Sequence, residues 1–187
     1  RHVLEKERSS LNQEQIRALE ASITAMKLGG VGLESDKKVR FNEIKMRLAE
    51  LSTSFSNHVL DATKAFSLVV DDVKEMEGVP GSAKSQWANA YDKEKADPEK
   101  GPWKITLDGP SYLPAMQHLK SRAIREKLYR ASVSRASEMS EDPKLNNIGL
   151  IDEILSLRKE LSIILGFNNY AEQSLFVKMA KEVSAVD

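Results

Sequence analysis

The stretch SDKKVRFNEIKMRLAELSTSFSNHVLDATKAF, Ser35 to Phe66, carries the pattern from which the fold is read. Phe41, Ile44, Leu48, Leu51, Phe55, Val59, Ala62 and Phe66 recur at spacings of 3, 4, 3, 4, 4, 3 and 4. An α-helix turns once in 3.6 residues, so these side chains share one face. Lys45, Arg47, Glu50, Ser54 and Lys64 fall on the other, wet side. One amphipathic helix of about thirty residues follows, and a helix of that kind needs a neighbour for its apolar stripe.

Upstream, Ser10-Leu11-Asn12-Gln13 has the form of a capping box, with Ser10 as cap and Gln13 reaching back. Ile16, Leu19, Ile23 and Met26 then repeat at 3, 4 and 3 along a first helix. Gly29-Gly30 stops it, since glycine takes the left-handed conformation at little cost. A short connection of this kind predicts that residues 1–66 form a long helical hairpin.

Downstream the period changes. Phe66-Ser67-Leu68-Val69-Val70 is short and β-branched at its end, and Trp103-Lys104-Ile105-Thr106-Leu107 alternates apolar with polar. Two such strands are expected to pair, because a lone strand leaves its backbone groups without partners. Residues 67–110 therefore read as a small two-stranded β element. It encloses a short helix from about Ala83 to Tyr91, opened by Pro80-Gly81, and a charged loop from Asp92 to Lys100.

Residues 111–187 read as helices. Ser111 is expected to cap a segment carrying Leu113, Met116 and Leu119, and Ser121 a helix to about Ala136 with Ile124, Leu128 and Ala131 inward. After a polar stretch, Ser137 to Asn147, a long helix carries Leu150, Ile154, Leu157, Leu161 and Ile164 at spacings of 4, 3, 4 and 3. Gly166 ends it, and Asn169-Tyr170-Ala171-Glu172 is a further cap. The expected fold class is mainly α: a helical hairpin, further antiparallel helices and a small β element, in one 187-residue helical piece.

Composition narrows the function classes. Lys and Arg number 28, matched by 28 Asp and Glu. This balance lacks the concentrated positive field that nucleic acid and membrane surfaces select, so neither is an expected partner. No run approaches a membrane span in length. No cysteine is present, which excludes disulfides, thiolate metal sites and a cysteine nucleophile. The opening Arg1-His2-Val3-Leu4-Glu5 is charged and helical in pattern, unlike a signal peptide. With no initial Met and an end at Val186-Asp187, both termini read as cuts inside a longer polypeptide.

Chemistry-bearing patterns are sparse. A peptidase zinc site needs two histidines four residues apart on a helix, with Glu beside the first. His58 is followed by Val59-Leu60-Asp61-Ala62, and His118 by Leu119-Lys120-Ser121-Arg122; His2 stands apart. Surface or boundary histidines are preferred to convergence of all three on one metal. No serine sits in a G-x-S-x-G turn, and Ser10, Ser35, Ser111 and Ser121 read as helix caps. Gly29-Gly30-Val31-Gly32 follows a helix and lacks the Lys-Ser/Thr of a phosphate loop. The acidic pairs Asp71-Asp72 and Glu141-Asp142 read as solvated turns rather than acid–base or cation sites. Arg122, Arg125, Lys127, Arg130 and Arg135 form a basic face that could meet an anionic substrate or partner. A solvated face matched by Glu126 is preferred. Trp87 and Trp103 read as core or boundary anchors.

Longer blocks carry more. Val39 to Ile44 (VRFNEI), Leu48 to Phe55 (LAELSTSF) and Ser56 to Phe66 (SNHVLDATKAF) resemble the thimet oligopeptidase and oligopeptidase A family of zinc metallopeptidases. So do Trp103 to Met116 (WKITLDGPSYLPAM), Ala123 to Ala136 (AIREKLYRASVSRA) and Leu165 to Ala180 (LGFNNYAEQSLFVKMA). The blocks occur in family order between Leu11 and Lys181 and are more similar to the oligopeptidase A branch.

The resemblance implies two mostly helical lobes flanking a channel that admits short unfolded peptides. This chain would correspond to an interior part of the non-catalytic lobe. Zinc, held in the family by a His-Glu-x-x-His helix and a downstream Glu, is implied for the parent enzyme and not for this chain. No catalytic or metal-binding residue is assigned here, and no substrate-contacting residue can be named. The parent is expected to be a zinc metalloendopeptidase, and this chain alone inactive. Its implied partners are short peptide substrates and the missing catalytic lobe; its implied location is the cytoplasm, mitochondrion or chloroplast, not the exterior. A stand-alone helical binding or scaffold module without catalytic activity is the alternative.

Overall fold

The computed structural model describes residues 2–140, 142–180 and 182–186. They divide into two compact units, one of residues 1–52 and 151–187, the other of residues 53–150.

In the first unit, α1 (His2–Lys6) precedes α2 (Gln13–Leu28), and the long helix α3 (Ser35–Ala65) supplies its first half. Most of α7 (Ile148–Ile164) and all of α8 (Tyr170–Leu175) complete it. Phe41 and Ile44 of α3 bury against Leu161 of α7, with Leu48, Leu157, Ile164 and Leu165 packed around them. Over its first half the stripe read from the sequence is therefore the buried side of α3, and there it packs on α7. Ile16, Leu19 and Ile23 of α2 are only half-buried, and Met26 is 57% exposed. Across the same α3–α7 seam Arg40 grips Glu160 with Nε–Oε1 and Nη2–Oε2 bonds of 2.6 and 2.8 Å. Seven residues on, Arg47 grips Glu153 at 2.6 and 2.9 Å. The planar guanidinium suits this two-pronged contact, which fixes the register of the two helices.

The second unit is built on an antiparallel pair, β1 (Ser67–Val70) and β2 (Trp103–Thr106), with Ser67 opposite Thr106 and Val70 opposite Trp103. The period-2 reading of β2 holds: Trp103 and Ile105 are fully buried, Lys104 and Thr106 are not. Against the sheet lie α4 (Gly81–Tyr91), α5 (Gly109–His118) and α6 (Arg122–Val133). Trp87 of α4, Ala115 of α5 and Leu128 of α6 are all 0% exposed and belong to one core with the strands. Burying a side chain the size of Leu128 contributes roughly 1.5–3 kcal/mol, so this cluster is the chief stabilising feature of the unit. Both tryptophans are core anchors, and Trp103 Nε1 donates to the Pro98 carbonyl at 3.2 Å.

Three of the expected serine caps are corrected. Helix α2 begins at Gln13, not after Ser10: Asn12 Oδ1 accepts from Gln15 N at 2.8 Å, and Gln15 Oε1 accepts from Asn12 N at 2.9 Å. Ser10 instead closes a 3-10 turn, its hydroxyl donating to the Glu7 carbonyl. Ser35 is the first helical residue of α3, preceded by Glu34, whose carbonyl accepts from Lys38 N. Ser111 lies inside α5, which begins at Gly109, and its buried hydroxyl accepts from Thr106 N at 2.9 Å. Ser121 does hold the N-cap position of α6, without a side-chain cap bond, and Asn169 caps α8 through Glu172 N. Gly30 and Gly166 end their helices at φ +79° and +87°.

Candidate functional site

The cap geometries, the packed sheet and the end of α3 set the surroundings of each chemistry-bearing side chain. His58, half-buried on α3, makes a 2.8 Å contact from Nδ1 to Asn147 Oδ1. Asn147 Nδ2 donates to the Phe55 carbonyl at 3.2 Å, which orients its oxygen toward the imidazole; Nδ1 of His58 therefore carries the proton. Asn147 is 2% exposed, and its backbone N–H also donates to Ala136, which sits at φ +51°. His58 is thus a boundary residue fastening α3 to the segment before α7. His2 and His118 are exposed. Among the described residues no three His, Asp or Glu side chains gather so as to hold a metal ion. They do not fit the zinc site that the sequence resemblance implies for the parent enzyme.

The acidic pairs are turn formers where described. Asp71 and Asp72 are exposed, and Asp72 caps the 3-10 turn Val73–Met76 through Lys74 N. Asp142 does the same for Pro143–Leu145 through Lys144 N, while Glu141 lies outside the described residues.

The basic face of α6 is not uniform. Arg130 pairs with Glu126 at 2.8 Å, both well exposed, as the solvated reading expects. Lys127, Arg130 and Arg135 also line a groove of about 580 Å³ within the second unit. Ala62, Phe66, Leu68, Ala131 and Leu145 make its lining largely apolar; Ser140 adds a hydroxyl, and that of Ser134 donates to the Arg130 carbonyl at 2.8 Å. Arg135 is half-buried and held on three sides: Nε donates to the Ser132 carbonyl at 2.9 Å, Nη1 to Thr63 Oγ1 at 2.8 Å, and Nη2 to Ser132 Oγ at 3.4 Å. Thr63 was missed in sequence because its neighbours Ala62 and Phe66 made the stripe look wholly apolar. Arg122 and Arg125 line a separate, smaller depression beside Met116 and Tyr129.

A second surface feature belongs to α7. Leu157, Leu161 and Ile164 turn toward α3, yet Ile151, Leu155 and Ile163, on the opposite side, are 41%, 57% and 57% exposed. A helix apolar on both sides is characteristic of a position between two packed layers.

A mainly helical chain with a two-stranded insert and no metal cluster among its described residues leaves kinship to be judged by comparison. Residues 115–187 match the family model described as peptidase family M3. The chain is 49% identical over 182 residues to the organellar oligopeptidase A, chloroplastic/mitochondrial, of Arabidopsis thaliana, covering 96% of this chain and 22% of that protein. It is 50% identical over 175 residues to the probable cytosolic oligopeptidase A of the same plant, covering 92% and 24%. Against oligopeptidase A of Salmonella typhimurium the identity is 40% over 179 residues, covering 95% and 26%. Over nearly its whole length the chain is therefore similar to oligopeptidase A, and over residues 115–187 to peptidase family M3. It spans about a quarter of the length of the curated relatives it matches.

Proposed function

We propose that this chain serves as channel wall in a zinc-dependent oligopeptidase, with the hydrolytic residues supplied by sequence outside it. The observation that carries the reading is identity of 49% and 50% to two oligopeptidases A over more than nine tenths of the chain. Zinc, when bound in such an enzyme, supplies a Lewis acid and an activated water. The part given to these residues is different. Rigid helices locked by the Arg40–Glu160 and Arg47–Glu153 grips would bound a passage for short unfolded peptides and exclude folded proteins. The outer face of α7 would meet the catalytic lobe, consistent with its exposed Ile151, Leu155 and Ile163. Nucleic acid and membrane are not partners in this reading; among the described residues no helix is long and apolar enough to cross a membrane. The relatives' names include an organellar and a cytosolic form, so cytoplasm or an organelle is the proposed location.

The test uses the 187-residue chain with and without zinc, alone and mixed with the remainder of an oligopeptidase A relative. Quenched fluorescent peptides report cleavage, and elemental analysis reports metal. No hydrolysis and no stoichiometric zinc are expected from the chain alone, with activity appearing only on complementation. Hydrolysis by the zinc-bound chain alone refutes the reading. Failure of the remainder to be activated, together with stable folding of the chain by itself, favours a separate helical binding or scaffold module.

A further inference from the structure

The outer face of α7 carries charge as well as apolar surface. The helix has five charged side chains, and three of them are engaged within the chain. Glu153 and Glu160 meet Arg47 and Arg40, and the Arg158 guanidinium lies 4.9 Å from the centre of the Tyr170 ring. The other two, Asp152 and Lys159, are exposed and have no ion pair among the described residues. Successive residues of a helix are turned by about 100°, which puts both on the side that presents Leu155, between Ile151 and Ile163 at its margins. They lie about 10.5 Å apart along the axis, too far to pair with one another.

This layout is self-complementary in one orientation. Asp152 stands three residues before Leu155 and Lys159 four residues after it. An antiparallel pair of such helices, related by a two-fold axis beside Leu155, sets Asp152 of each copy opposite the partner's Lys159. Leu155 then packs on the partner's Leu155, flanked by Ile151 and by the methylene stem of Lys159. A parallel, in-register pair sets Asp152 against the partner's Asp152 and Lys159 against the partner's Lys159, and like charge opposes it. We infer that the outer face of α7 binds a second copy of this chain in the antiparallel arrangement. Burial of Ile151, Leu155 and Ile163 drives the association, and the two ion pairs choose its orientation. The inference concerns the 187-residue chain by itself and does not rest on the channel-wall reading, in which the remainder of an oligopeptidase would take the same face.

Analytical ultracentrifugation of the intact chain from about 5 μM to 1 mM tests it, with a dimer dissociation constant on the order of 10–100 μM expected for so small an interface. Leu155→Glu, at a position 57% exposed, is expected to remain monomeric throughout with an unchanged melting temperature. Asp152→Lys and Lys159→Asp each turn both ion pairs into like-charge contacts, and each is expected to weaken the dimer about tenfold or more. Asp152→Lys/Lys159→Asp restores the pairing with its signs exchanged, and is expected to return within about threefold of the parent chain. An equimolar mixture of the two single variants is expected to form a mixed dimer, since each then supplies the charge that the other lacks. A chain that stays monomeric at about 1 mM leaves the face to some other partner and overturns the inference. A dimer that survives Leu155→Glu overturns it too, because the contact then lies elsewhere. Failure of the double reversal to recover what the single reversals lose refutes the antiparallel pairing.

Discussion

Asn147→Ala should destabilise the second unit by about 2 kcal/mol, although the residue lies outside every regular element. Its side chain makes two hydrogen bonds, Nδ2 to the Phe55 carbonyl at 3.2 Å and Oδ1 from His58 Nδ1 at 2.8 Å, and is 2% exposed. Each such bond contributes about 0.5–1.5 kcal/mol net, and alanine brings no compensating apolar burial, so the two together come to about 1–3 kcal/mol. The half-buried His58 regains water more readily than the Phe55 carbonyl, which argues for the middle of that range. With a urea dependence of about 2 kcal/mol per molar, the midpoint falls by about 1 M. Tryptophan fluorescence is the suitable probe, because Trp87 and Trp103 both lie in the unit that contains Phe55, His58 and Asn147. His58→Ala should cost about 1 kcal/mol, and the double variant less than the sum by about 0.5–1.5 kcal/mol, since the two residues share one bond. Asn147→Asp keeps the acceptor for His58 but sets an oxygen against the Phe55 carbonyl, and should also lower the midpoint. A midpoint for Asn147→Ala within about 0.2 M of the parent chain, or strict additivity with His58→Ala, would show that this fastening carries no weight.

Leu128→Ala, at a position 0% exposed in the sheet–helix core, should cost about 2–5 kcal/mol, against about 0.5 kcal/mol or less for Leu113→Ala at a position 55% exposed; urea titration separates the two. Gly101→Ala places a Cβ 2.6 Å from Trp103 Cε3 at φ +72°, so about 2 kcal/mol or more is lost and the near-ultraviolet circular dichroism of Trp103 changes. The hydrogen bond from Arg47 holds the Glu153 carboxyl below its ordinary range, and that from Arg40 does the same for Glu160. A depressed folded-state value means that the contribution is present above about pH 4.3 and is lost as the pH falls through the lowered values. The melting temperature of Arg40→Ala/Arg47→Ala should accordingly trail the parent at pH 7 and converge with it at about pH 2, and the gap at pH 7 should narrow in high salt. An equal gap at both pH values would remove the ion pairs as its cause.

The apolar stripe of α3, the pairing of residues 67–70 with 103–106, and the stop at Gly166 were legible because each rests on local chemistry: a 3.6 period, a period of 2, and a glycine able to take positive φ. The caps were less so. Ser10 and Asn12 both lie within three residues of the start of α2, and both offer an oxygen; the choice of Asn12 follows from where Gln15 can reach back. Ser111 had an equally good cap pattern but turned inward, because the N–H of Thr106 needed an acceptor that the two-stranded sheet does not provide. The basic residues after Ser121 were read as one face, whereas they part company in space. Arg122 and Arg125 flank one depression, and Lys127, Arg130 and Arg135 another.

Period, turn chemistry and the balance of charge were enough to establish a helical chain with a small antiparallel insert, and blocks such as WKITLDGPSYLPAM were enough to reveal its similarity to oligopeptidase A. Which helix covers the first half of α3, where Asn147 is buried, and that Thr63 orients Arg135 depend on residues far apart in the chain. Linear spacing describes which side of an element is apolar. It does not name the neighbour, because packing selects among several possible partners by shape and by the hydrogen bonds each would leave unmade.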